Sequence, residues 1–407
     1  MNPGIRPPQS ADNALATQRV YSIDAFRGIT ILVMIFVNEL AGIDGMPSWT
    51  THAGADDDAM TYVDIVFPAF LFIVGMSLPI ALQNRITKGE SMPAIAGHIA
   101  LRTTGLLVLG LFMVNSDGGY NEEAMKISLP LWSVLFFVFA LLTWNSYNRL
   151  PKQLILLLRA VGIVGLIILM FLYKSGDGTS GMTPQWWGIL GLIGWAYLFS
   201  CIIYLVSKNS LARLAIFTTL GFVFYIIAKE YADTGNLLLQ FMNSARGHTI
   251  HTSITLSGTI TFFLVFGNAP REKPFIQKLL YLALFTTVCL IAAVVLRPRY
   301  EVSKIYATPS WALFSIATCV IVYTLLYWLI DIRKQDRWVK WIQPAAANPL
   351  LAYLIPFVVY ALMRLTDIYQ PDIFTYGIPG VIWAAAYAFA VLGVVTILNK
   401  LKIKLQL

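Results

Sequence analysis

The sequence predicts an all-α polytopic membrane protein of about twelve transmembrane helices, with both termini on the cytoplasmic side. Three observations predict it. Of 407 residues, 57% are hydrophobic and only 12% charged, where soluble domains carry about a quarter charged residues; such a composition takes the bilayer as its solvent. Apolar segments of spanning length recur at 25–43, 61–83, 94–115, 127–144, 152–173, 185–206, 211–229, 251–268, 276–296, 310–331, 345–363 and 378–399. Finally, Lys and Arg gather on alternate connections. Arg85 and Lys88, then Arg271, Lys273 and Lys278, then Arg333, Lys334, Arg337 and Lys340 fall on the side of the N-terminus, while most acids fall on the other. That asymmetry is the positive-inside pattern. It assigns the net charge of +8 to topology and argues against a nucleic-acid partner.

Residues 1–22, rich in Pro, Asn and Gln, read as a disordered cytoplasmic tail, and 23–407 as a single transmembrane domain. The first apolar segment has no small-residue cleavage site and is read as a retained anchor. Within it Asp24, Arg27, Ile31 and Asn38 recur at helical spacing and share one face. The fourteen residues from Asp24 to Asn38 rise about 21 Å. This stripe joins a charged cytoplasmic end to an amide near the outer side. Its structural alternative is an Asp24–Arg27 ion pair with Asn38 bonding a neighbouring helix.

The connection "SWTTHAGADDDAMTY" then faces outward and presents His52 with Asp56, Asp57 and Asp58, the aspartates read as a solvated loop. Asp64 differs because it lies just inside the second apolar segment, where a carboxylate must face protein or a wet cavity; the simpler alternative is a helix N-terminal carboxylate favoured by the dipole. The third segment carries Arg102, deep enough to face an anion, and the fifth carries Arg159, placed to snorkel. His98, on the cytoplasmic side, has no evident partner. Segments 185–206 and 211–229 read as an additional helical pair within 185–229. His248 and His251 are three apart, but nothing nearby completes a metal ligand set, so loop or helix-start histidines are expected. Lys304 and Asn348 are further outward-side candidates, Asn348 breaking an otherwise apolar segment. Cys201, Cys289 and Cys319 all lie in apolar segments and read as small core hydrophobes, with no metal implied.

The combination S-x-D-x-x-R-G…M-x-F-V-N…H…D-x-V-F-P-x-F-x-F, formed here by "YSIDAFRGITILVMIFVN", His52 and "VDIVFPAFLFIVGMS", resembles the transmembrane acyltransferases related to heparan-alpha-glucosaminide N-acetyltransferase. The resemblance is firm over 20–80 and weaker toward the C-terminus, where Lys304, "PSW" and Asn348 take plausible substrate-side positions. It implies an enzyme that takes acetyl-CoA from the cytoplasm and acetylates an amino sugar, or the end of a glycan, on the far side. On that pattern His52 matches the catalytic histidine, Asn38 the asparagine beside it and Asp64 the carboxylate at the helix start. Arg27, Asp24 and Arg102 would hold acetyl-CoA at the cytoplasmic mouth. The family implies a homodimer. This sequence departs from it where "ISLPLWSVLFF" replaces a Gln-Arg pair and "NSARGHTIHTS" replaces an Asp-Pro-Glu-Gly segment; no counterpart of the animal enzyme's leading luminal domain is evident.

Two other readings stay open. An O-acyltransferase of an envelope glycan or lipid fits the architecture, although the related enzymes carry their histidine in the first helix, where this chain has Asn38. A secondary transporter suits twelve spans, but "NRITKGES" lacks the Gly-x-x-x-Asp-Arg pattern of the major-facilitator proteins, and no half-to-half repeat is evident. No Asn-x-Ser/Thr acceptor occurs, which fits a bacterial cytoplasmic membrane with the His52 loop facing the periplasm.

Overall fold

A computed structural model describes residues 20–147, 150–231, 236–267, 273–405 and 407. The tail expected over 1–22 lies outside the described residues up to position 19, as does Arg271; Tyr21 and Ser22 already belong to the first helix. The described residues form thirteen α-helices and no sheet: α1 Tyr21–Leu40, α2 Val63–Thr87, α3 Met92–Asp117, α4 Leu129–Trp144, α5 Lys152–Leu172, α6 Gly188–Ser207, α7 Leu211–Glu230, α8 Leu237–Val265, α9 Phe275–Leu296, α10 Pro309–Leu326, α11 Val339–Ala347, α12 Pro349–Thr366 and α13 Gly377–Lys400. The protein is an all-α polytopic membrane protein.

Each apolar segment read from the sequence falls on a helix, and nine helices among the described residues are long and apolar enough to cross a bilayer. The other three segments fall short for visible reasons. α4 has only 16 residues, α1 carries Asp24, Arg27 and Glu39, and α8 is lined with Thr and Ser. The segment 345–363 is divided at Asn348, whose non-helical backbone (φ −141°, ψ 61°) separates α11 from α12. Helix α8 begins fourteen residues before the predicted 251, because Asn236 caps it and the polar stretch Asn243–His248 cuts its apolar first turns off from the rest in hydropathy. His248 and His251 are therefore mid-helix rather than in a loop. The pair at 185–229 is built into the bundle, with α6 packed against α3 and α8, and α7 against α8.

Helix α2 is the structural pivot, and its sequence explains why. Pro68 and Pro79 lie inside it, and a proline lacks the N–H that would bond the carbonyl four residues earlier. The freed carbonyls belong to Asp64 and Gly75. Trp311 Nε1 of α10 donates to Asp64 O at 3.3 Å, and Thr259 Oγ1 of α8 donates to Gly75 O at 2.8 Å. The α2–α8 crossing depends on glycine from both sides: a Cβ on Gly75 would meet Thr255 O at 1.7 Å, and one on Gly258 would meet Phe72 O at 1.9 Å. Small residues let helix backbones approach this closely in a membrane protein. The outer prolines instead occupy first turns, at Pro93, Pro130, Pro309 and Pro349, where no N–H bond is lost.

Candidate active site

Asp64 occupies the first turn of α2 and is 1% exposed. Its Oδ2 accepts the Thr61 N–H at 3.0 Å, the Ala53 N–H at 3.2 Å and the Thr61 hydroxyl at 3.4 Å. Its Oδ1 lies 2.6 Å from His52 Nδ1. A buried carboxylate held by that many donors is an ionised acceptor, so Nδ1 carries the proton and donates to it. In that tautomer the Nε2 lone pair points away from Asp64. His52 is half exposed while its partner is buried, an arrangement suited to a reactive ring oriented by a fixed carboxylate.

Lys304, in the connection before α10, completes the group. Its Nζ is 3.1 Å from His52 Nδ1, 3.3 Å from Nε2 and 3.9 Å from Asp64 Oδ1. With Nδ1 committed to Asp64, Nε2 is the acceptor left for the ammonium. Burial pushes the Lys304 ammonium below its ordinary range, and Asp64 opposes that shift. His52, Lys304 and Asn38 line one open pocket, walled by Met34 of α1, Phe67 and Phe70 of α2, and Ile189 of α6. Asn38 is exposed on its helix, and its side-chain amide bonds no other group among the described residues.

The three aspartates are not alike, which corrects their reading as a purely solvated loop. Asp58 takes both of its oxygens to Arg297 Nε at 3.1 Å, its carbonyl accepts Arg297 Nη2, and Oδ1 accepts the Val302 N–H at 2.8 Å. The Val302 amide and then Arg297 hold its carboxyl below the usual carboxylate value. Asp57 accepts the Gly54 N–H at 2.6 Å. The first contact ties the His52 loop to the Lys304 connection. Nothing in the sequence pairs Asp58 with Arg297, since the spacing is too long for any local pattern. Trp311 was visible only as part of "PSW".

Arg27 and Asp24 lie at the other end of α1. Arg27 bonds Asp24 at 3.2 Å, Ser77 Oγ at 2.6 Å and the Ala346 carbonyl at 3.4 Å, cross-linking α1, α2 and α11. Asn348 belongs to this same end. It donates to Asn399 Oδ1 and the Ile403 carbonyl, each at 3.1 Å. The outward position expected for it is corrected: 345–363 starts from the Arg27 end, so a residue near its start cannot reach His52. Arg102 stacks on Tyr197, 4.8 Å from the ring centroid; Arg159 is exposed on α5, consistent with snorkelling. His251 is buried edge-on between Phe67 and Trp311, at 5.1 and 6.3 Å between ring centroids. All three cysteines are free and buried, and no group of three metal-ligating residues occurs among the described residues.

A family described as a domain of unknown function (DUF5009) matches residues 19–250, more than half of the chain. The chain belongs to that family. It is also similar to heparan-alpha-glucosaminide N-acetyltransferase of Homo sapiens, 32% identical over 140 residues that make up 33% of this chain and 20% of that protein. The Mus musculus enzyme of the same name is 27% identical over 162 residues, 37% of this chain and 24% of the relative. The match thus spans a fifth to a quarter of these curated relatives' length. The acyltransferase resemblance read from the two-helix motif is shown by these similarities. The DUF5009 match takes in α1, the His52 loop and α2, but ends before Lys304 and Trp311.

Proposed function

We propose that the protein is a transmembrane acetyltransferase, moving an acetyl group from cytoplasmic acetyl-CoA to an amino sugar on the other side of a bacterial cytoplasmic membrane. The observation that carries this reading is that His52, bonded behind to the buried Asp64, lines a single pocket with Asn38 and Lys304. The names of the similar proteins support an amino-sugar acceptor.

The chemistry follows from the tautomer. His52 Nε2 accepts a proton from the acceptor nitrogen as that nitrogen attacks the thioester carbonyl, a contribution of ~10²–10⁴ in rate. Asn38 donates from its amide to the carbonyl oxygen as it becomes an oxyanion, worth ~10²–10³. The tetrahedral intermediate collapses with loss of the CoA thiolate, which the imidazolium protonates. Asp64 does not move; it fixes the ring and stabilises its charged form. The same lone pair can attack the thioester directly and form acetyl-His52, a route that ping-pong kinetics would mark. Arg27 has its guanidinium engaged by three helices, so the CoA phosphates would fall to Arg102, whose guanidinium stacks on Tyr197.

Purified protein incubated with labelled acetyl-CoA and glucosamine, with His52→Ala alongside, tests the reading. Labelled N-acetylglucosamine from wild type alone is the expected result. Transfer to a hydroxyl would favour the O-acyltransferase, and sugar crossing sealed vesicles unmodified would favour a transporter.

A further inference from the structure

Lys304 stands where the acceptor should stand. An amine that surrenders a proton to the imidazole must lie within hydrogen-bond reach of it, and Lys304 Nζ lies against the ring, 3.3 Å from Nε2 and 3.1 Å from Nδ1, in the pocket shared with Asn38. It is a primary amine, the same nucleophile class as the amino group of an amino sugar. We propose that Lys304 is itself an acetyl acceptor: when acetyl-CoA is bound and no sugar occupies the pocket, the protein acetylates Lys304 Nζ and thereby blocks its own site. The inference rests on the acetyl-transfer reading above.

Other features support the geometry. Burial weakens the ammonium's hold on its proton, which raises the nucleophilic fraction. The Asp58–Arg297 contact holds the connection bearing Lys304 against the His52 loop, so the amine is presented to the imidazole rather than sampling solvent. The step balances without a further reactant. Lys304 Nζ bonds to the acetyl carbonyl carbon, the thioester C–S bond breaks, CoA leaves as the thiol with one proton, and the second ammonium proton passes through His52 to solvent. The product amide carries no charge and leaves an acetyl group beside His52, where an incoming amine must sit. A bound amino sugar protects Lys304 by displacing it from Nε2.

The test is peptide mass spectrometry on the full chain after incubation with deuterium-labelled acetyl-CoA, with and without glucosamine, in wild type and His52→Gln. Exposed Lys126 and Lys402 report uncatalysed acetylation. The expected result is label on Lys304 in large excess over those two, suppressed by glucosamine and reduced ~10²-fold by His52→Gln. Acetylated sugar with Lys304 labelled no more than Lys126 overturns the inference and leaves the activity standing. Labelled Lys304 without sugar product keeps the inference and removes the sugar as acceptor. Label on neither overturns both.

Discussion

Asp58 and Arg297, 239 positions apart, form a two-sided clamp in which the guanidinium meets both the carboxylate and the backbone carbonyl of the same residue. Through it the loop carrying His52 and the connection carrying Lys304 become one surface. The pair is partly exposed, so its value lies in placement more than in stability. Misplacing a reacting group by about 1 Å can lower a rate ~10²-fold. Asp58→Asn and Arg297→Gln are therefore expected to reduce kcat ~10-fold or more, with the melting temperature little changed. Because the Asp58 carboxyl is held below 3.8, its contribution is complete above that pH and is lost as pH falls through its folded value. A wild-type rate in either variant would show that the two loops are positioned independently.

Asp64→Asn probes the tautomer. An amide in that place can turn its NH₂ toward Nδ1 and move the imidazole proton to Nε2, leaving no lone pair for the acceptor. The expected outcome is a kcat loss of ~10²–10⁴ with KM for acetyl-CoA nearly constant, since the cofactor's nucleotide would bind at the far end of the bundle. A rise in KM alone would instead place Asp64 in substrate binding.

How much of this was legible beforehand divides along a physical line. His52, Asn38 and Asp64 stood out because polar residues are rare in apolar segments and because the motif packs them into two adjacent helices. Lys304 is brought to the same pocket; the sequence marks it as an outward-side cation, but not as a neighbour of His52. Asp58, Arg297 and Trp311 act across long sequence separations, where no periodicity operates. Asn348 looks like an outward residue only until the direction of its segment is followed from the cytoplasmic end, and the start of α8 is hidden from hydropathy by the polar stretch Asn243–His248 within it. Arg27 was visible as a cation, but whether a cation is free or tied to Ser77 and Ala346 depends on packing alone.

Lys304 predicts an alkaline signature. Its folded pKa lies below the ordinary 10.5, so between the two values the unfolded chain binds more protons and stability rises with pH. Below the folded pKa the burial penalty is fully present. Lys304→Met lacks this titration, so its advantage in melting temperature over wild type should shrink as pH climbs toward 10.5. An advantage that instead grows would mean that Asp64 outweighs burial and raises the lysine's pKa.

Pro68 and Trp311 offer a test of the pivot that needs no activity. Trp311 donates to the carbonyl that Pro68 leaves unpaired; a buried acceptor stripped of its donor costs ~1–3 kcal/mol. Trp311→Phe should therefore destabilise the wild-type helix by about that amount, beyond any loss of packing. In a Pro68→Ala background the restored Ala N–H can bond Asp64 O within α2, and the same Trp311→Phe change should cost less. The double-mutant cycle reads the difference as a coupling of ~0.5–3 kcal/mol, measured by denaturation in detergent. Additive effects would mean that the indole stabilises α10 by packing alone, and that the Asp64 carbonyl gains nothing from it.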